Sequence, residues 1–129
     1  MAKIITGQVL VSSVSNAAAA TTRGRLDVSA ADGGMLRWAT TNGGTGPTLA
    51  CEARILIAAK GSSMPAAASE GTGDLDWKRV YVQGGGTLAN AKTTGSYRFG
   101  PEVAYIEIEF TANTGQAVTV ECTGDTYVY

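Results

Sequence analysis

An all-β fold is what this sequence predicts: a single antiparallel sandwich, jelly-roll-like, of about eight to nine strands. Three observations predict it. Apolar residues recur at every second position, Gly-rich turns interrupt the chain every dozen residues or so, and helical periodicity is nowhere sustained. The 129 residues are one domain's worth, enough to bury roughly two-thirds of the surface the unfolded chain exposes. No linker or internal repeat divides 1–129, so one sandwich domain is expected to span it.

The first strand is expected over Lys3–Ser15, with a break at Gly7. Thr22–Ala30 follows, with Leu26 and Val28 inward, then Met35–Thr41, with Leu36 and Trp38 inward. Ala31-Asp32-Gly33-Gly34 between the last two reads as a hairpin turn, because Asp and Gly supply the positive φ angles such turns require. Leu49–Lys60 carries the clearest alternation. Leu49, Cys51, Ala53, Ile55 and Ile57 share one face, Glu52 and Arg54 point the other way, and Leu56 and Ala58 then make the second face apolar as well. Such a strand borders solvent in its first half and is covered on both sides in its second. The longest loop, Gly61–Asp74, contains Pro65 and exceeds the usual connection length.

In the second half, Asp76–Gln83 is a strand ended by Gly84-Gly85-Gly86. Thr93–Phe99 follows an ill-defined Leu88–Lys92 and stops at Gly100-Pro101. Val103–Thr111 sets Ala104, Ile106, Ile108 and Phe110 against Tyr105, Glu107 and Glu109, and Ala117–Thr123 sets Val118, Val120 and Cys122 against Thr119 and Glu121. Asn113-Thr114-Gly115 reads as a hairpin between these two, and Thr126–Tyr129 as a short last strand.

Composition limits the function classes. Of the apolar residues 20 are Ala and 37 are larger, and Ala, Gly, Thr and Ser fill nearly half the chain. With 10 Lys and Arg against 11 Asp and Glu, the net charge of -1 argues against nucleic acid and against a polybasic membrane anchor as partners. The chain has no histidine, which removes Ser-His-Asp and Cys-His catalysis, His-ligated zinc and imidazole switching. Ile4–Val14 followed by the Ala run at 17–20 superficially resembles a secretory leader, but Gly7, Gln8, Ser12 and Ser13 interrupt the apolar stretch and favour a strand. No window reaches the roughly 18 apolar residues of a membrane helix. Cys51 and Cys122 are 71 positions apart and read as small buried hydrophobes, with inward parity that leaves open their meeting.

Each candidate motif has a plainer reading beside it. Gly84-Gly85-Gly86-Thr87 and Lys60-Gly61-Ser62 invite comparison with phosphate loops, yet neither is followed by the Lys-Ser/Thr pair and helix that such loops need, so both read as turns. Glu107, Glu109 and Glu121 are expected on one sheet face, as a cation site or acid–base pair or, more plainly, a solvated acidic face. Asp74-Leu75-Asp76 holds two carboxylates for calcium, but the spaced ligands do not continue. Arg23, Arg25 and Arg37 form a small basic patch or, with Asp27 and Asp32, an ordinary mixed surface. Trp38, Trp77, Tyr81 and Tyr97 are the one candidate binding surface, a sugar-stacking platform; beside Leu36 and Val80 they read equally as core. No catalytic residue, metal site or cofactor is expected.

Val103-Ala104-Tyr105-Ile106-Glu107-Ile108-Glu109-Phe110-Thr111-Ala112-Asn113-Thr114-Gly115-Gln116-Ala117-Val118-Thr119-Val120-Glu121 resembles the C-terminal hairpin of small structural proteins of tailed bacteriophages. The Leu49–Ala59 strand, the Trp77 strand and the Gly84–Gly86 break are similar to the same proteins, and the resemblance covers about the C-terminal two-thirds of the chain. It implies a non-enzymatic virion component, a minor capsid or decoration protein on the head shell, assembled in a bacterial host's cytoplasm. Its implied partners are the major capsid protein and copies of itself, with three copies matching the points where three capsomers meet. Other readings are a phage tail or fibre component or, since Tyr105-Ile106-Glu107-Ile108-Glu109-Phe110 also resembles discoidin-like sugar-binding sandwiches, a carbohydrate-binding module.

Overall fold

The computed structural model describes residues 2–61, 63–66, 70, 71, 73 and 76–129. Eight strands make two four-stranded antiparallel sheets: β1 (Ile4–Asn16), β2 (Thr22–Asp27), β3 (Gly33–Asn42), β4 (Glu52–Ala58), β5 (Lys78–Gly84), β6 (Lys92–Phe99), β7 (Tyr105–Thr111) and β8 (Val118–Val128). The first sheet runs β1-β8-β3-β6 and the second β2-β7-β4-β5. No helix occurs among the described residues.

The strand order is that of a hairpin rolled up along its length. β1 pairs with β8, β2 with β7, β3 with β6 and β4 with β5, so the pairs nest from the chain ends toward its middle. Added β3–β8 and β4–β7 pairings join the nested pairs into the two sheets. This is the jelly roll the sequence predicts.

Nesting also overturns both expected hairpins. Because β2 and β3 lie in different sheets, Ala31–Gly34 carries the chain across the sandwich, and Asn113–Gly115 does the same between β7 and β8. The separate strand at Thr126–Tyr129 merges into β8, which continues through Gly124. That glycine is buried, and a Cβ there would lie 3.0 Å from Leu36 Cδ2 and 3.1 Å from Leu10 Cδ1. β2 stops at Asp27, whose carboxylate accepts hydrogen bonds from the Ser29 N–H (2.9 Å) and hydroxyl (2.6 Å) and turns the chain.

The main core lies between the sheets. Leu36, Trp38, Cys51, Ala53, Ile55, Ile106, Ile108, Phe110, Val118, Val120 and Cys122 fill it, nearly all at the predicted inward parity. Leu49, expected on the same face, is 60% exposed and lies before β4. A smaller core sits on the outer face of the second sheet, where Leu56, Ala58, Trp77, Ala104 and Tyr105 pack together with Met64. Met64 belongs to the long β4–β5 connection, so this is the second layer that the apolar Leu56–Ala58 face anticipates.

Candidate functional site

The four aromatic candidates do not form one surface. Trp77 is 1% exposed, on the outside of the second sheet, and its indole N–H donates to the Ala66 carbonyl at 3.0 Å. Trp38, Tyr81 and Tyr97 meet elsewhere, where β5 and β6, the last strands of their sheets, close one side of the sandwich. Ring centroids are 6.0 Å apart for Trp38–Tyr81 and for Tyr81–Tyr97, with the planes inclined by 57° and 38°. Gly95 opposes Trp38 across the β3–β6 ladder, and a Cβ there would lie 2.6 Å from the indole; only glycine lets the ring lie flat across β6. Gln83 completes the closure. Its Oε1 accepts from the Trp38 indole at 2.9 Å, and its Nε2 donates to the Thr94 carbonyl at 3.2 Å, tying β3, β5 and β6 together. Trp38 is thus buried with its one donor used, and what reaches solvent is Tyr81, 39% exposed, beside a half-buried Tyr97. Two tilted tyrosines are a poor flat platform for a sugar ring.

The acidic trio is divided as well. Glu121 is exposed on the first sheet, while Glu107 and Glu109 lie on β7 in the second, 0% and 2% exposed, so the expectation of one solvated face is wrong on both counts. Pairing across β2-β7-β4 places Arg23 and Arg54 on either side of Glu109, at 3.2 and 3.6 Å. Glu107 lies between Arg25, at 3.6 Å, and Leu56. Both Glu107 oxygens are buried without a hydrogen-bond partner among the described residues. Burial pushes the Glu107 carboxyl up to about 7, against the opposing pull of Arg25 and Arg23. Arg25 also donates to the Pro65 carbonyl at 3.5 Å, linking this row to the β4–β5 connection. Glu107 is thus a perturbed carboxyl buried on the outer face of the second sheet, beside the β4–β5 connection.

Placement accounts for the other candidates. Arg23 and Arg25 belong to the second sheet and Arg37 to the first, where it pairs with Asp125 at 2.6 Å, so there is no common basic patch. Gly84 ends β5, and the Gly85 N–H donates to the Cys51 carbonyl at 2.8 Å: this Gly run is a turn held against the sandwich. Asp74 and Leu75 of the calcium reading and Ser62 of the Lys60-Gly61-Ser62 reading lie outside the described residues. Cys51 and Cys122 are buried, free thiols, pushed up to about 11 and about 12 by desolvation.

Three buried asparagines escaped the sequence reading. Asn16 Nδ2 donates to Asn113 Oδ1 at 2.6 Å, and Asn113 Nδ2 donates to the carbonyls of Asn16 (3.1 Å) and Gln116 (3.0 Å), locking the β1–β2 crossing to the β7–β8 crossing. Asn42 Nδ2 does the same for the β5–β6 turn, donating to the carbonyls of Gly86 and Leu88, both at 2.9 Å. Asn42 beside Gly43 and Asn113 beside Thr114 read as exposed turn residues, and no local signal marks these or Asn16 as staples between crossings.

The outer face of the first sheet is open. Arg37, Lys92, Thr94, Ser96, Glu121 and Thr123 border a wide-mouthed depression of about 620 Å³, with Trp38 and Ala39 also in its lining. The jelly-roll sandwich thus has one open outer face and one that is partly covered, around Leu56, Ala58 and Trp77.

No protein-family model matches the sequence, and no curated protein does. Solved structures do share the fold. A cleaved adhesin domain of Lys-gingipain from Porphyromonas gingivalis superposes with a TM-score of 0.56 at 8% identity, over 88% of this chain and 73% of that one. The SPBc2 prophage-derived protein YomS matches at 0.50 and 11% identity, over 99% of this chain and 96% of that one. A chain of infectious bursal disease virus, Gx strain, matches at 0.53 and 10% identity; it covers 98% of this chain, which spans only 32% of it. The β-sandwich is therefore one found in phage-derived and viral proteins, and in a bacterial adhesin domain as well.

Proposed function

We propose that this protein is a non-enzymatic structural component of a phage particle, a minor capsid or decoration protein seated on the head shell and associating with itself and the major capsid protein. The observation that carries the reading is the strand order β1-β8-β3-β6 over β2-β7-β4-β5, the jelly-roll layout common among shell-forming proteins. It is supported by a fold shared over nearly the whole length of a prophage-derived protein, and by a net charge of only -1. A nearly neutral chain does not repel its own copies when they pack closely.

The test is made on purified particles from a host carrying the coding gene. Mass spectrometry is expected to find the chain in the particle at many copies, and a density map to place it on the head exterior. Location in the tail or its fibres would move the reading there; absence from particles would overturn it.

A further inference from the structure

We propose that the N-terminal half of β1 is a self-pairing strand: residues 5–9 align antiparallel with the same segment of a second copy, about a twofold axis at Gly7, and join the two first sheets into one. This rests on the self-association in the reading above and names the surface that carries it.

Four strands have an open edge: β1 and β6 in the first sheet, β2 and β5 in the second. Twofold pairing sets a strand against itself, so charges of one sign are brought near their own copies. β2 carries Arg23, Arg25 and Asp27, β5 carries Lys78 and Arg79, and β6 carries Lys92 and Arg98. β1 alone carries no charge, and no proline interrupts it between Ile4 and Asn16. The devices that normally blunt an edge are missing from it.

Geometry then selects which part of β1 pairs. From Ile4 to Val9 its register with β8 is unbroken, whereas shifts between Val9 and Val11 and between Val11 and Val14 bend the rest. The regular half therefore presents a straight row of main-chain donors and acceptors on its free side. Ile4, Ile5 and Val9 are 61%, 60% and 66% exposed, so its side chains are unpartnered as well.

Register follows from the pleat. Paired residues must point to the same face, so the axis passes through a residue. At Gly7 it sets Ile5 opposite the partner's Val9 and Thr6 opposite the partner's Gln8. At Thr6, Ile5 would face a glycine, and at Gln8 the pairing would run into the shifted segment. A paired run of five residues is about 17 Å long and buries on the order of a third of a standard interface, which makes a dimer of modest affinity, suited to copies already concentrated on a surface. The symmetry of this contact is twofold; a threefold assembly would need a second, head-to-tail contact elsewhere.

Sedimentation of the whole chain up to about 0.5 mM tests the proposal. Wild type is expected to show a reversible monomer–dimer equilibrium. The double variant I5K/V9K sets like charges opposite each other and is expected to weaken dimerisation more than about 100-fold, whereas I5K/V9E sets opposite charges together and restores it to within about tenfold. All these side chains are exposed, and thermal melts of the variants check that the fold is kept. Under oxidation Gly7→Cys is expected to form a linked dimer far faster than Ser13→Cys, a register check that also reports a weak contact. An oligomer indifferent to I5K/V9K would overturn the proposal and leave self-association on another edge. A wild-type monomer with no Gly7→Cys preference would overturn it and self-association together. β1 variants that stay monomeric like wild type but lose attachment to particles would give the strand to a shell partner instead. The particle role itself is decided separately, by the composition of purified virions.

Discussion

Glu107 shows how one residue takes its properties from the layer above it. Its carboxyl lies at about 7 in the folded chain, above the usual range of an unfolded glutamate. The folded state therefore holds a proton that the unfolded state releases between about pH 4.5 and 7. The stability this contributes is complete below the unfolded value and is lost as pH rises through 7. Glu107→Gln, isosteric and uncharged, is expected to change stability little near pH 4.5 and to raise it by roughly 3 kcal/mol at pH 8. Urea melts at the two values check this; equal effects at both would mean that the carboxylate is stabilised by Arg25 and stays ionised. Glu109, two residues on, shares the face but has arginines on both sides. The difference was invisible in the alternation Tyr105, Glu107, Glu109, because it depends on Leu56 being the β4 neighbour of Glu107 and Arg54 that of Glu109.

Among the elements, the β4–β5 connection is where sequence reading was half right. An apolar second face at Leu56 and Ala58 implied a cover, and Trp77 with Met64 supplies it. Trp77 and Trp38 separate because Trp77, just before β5, packs on the outer face of the second sheet, whereas Trp38 on β3 points into the space between the sheets. The two therefore separate stability from recognition. Trp77→Ala is expected to cost roughly 3 kcal/mol or more in stability, from lost packing and the lost hydrogen bond to Ala66. Mixed glycans are expected to leave tryptophan fluorescence without saturable change, since Trp38 is sealed by Tyr81, Gln83 and Tyr97. Saturable quenching by a defined sugar, lost when Tyr81 and Tyr97 are replaced by alanine in a stable protein, would favour a carbohydrate module.

Across the whole molecule, nesting sets the order in which contacts become affordable. Of the strands that pair, β4 and β5 are nearest in the chain, and β1 and β8 bring Ile4 against Val128. Loop-closure entropy grows with the separation of the paired segments, so the roll is expected to assemble from β4–β5 and β7 outward, with refolding in milliseconds to seconds. Kinetic analysis is expected to give a higher φ-value for Ile55→Val in β4 than for Val120→Ala in β8; the reverse ranking would show that the chain ends pair first.

Period-two alternation is a local property, and by itself it determined that the chain is all-β, where most strands lie, and that Leu36, Ile55, Ile106, Ile108, Phe110, Val118 and Val120 point inward. Alternation tells inside from outside without naming a neighbour. Which strands pair was decided only in three dimensions, and with it the loss of both expected hairpins, the burial of Glu107 and Glu109 under arginines and a loop, and the stapling of distant crossings by Asn16 and Asn113. Turn residues such as Asp32-Gly33 and Asn113-Thr114-Gly115 reverse the chain equally well within a sheet or between two. The choice belongs to the apolar faces, which are all buried at once when every successive pair of strands except β4 and β5 is divided between the two sheets.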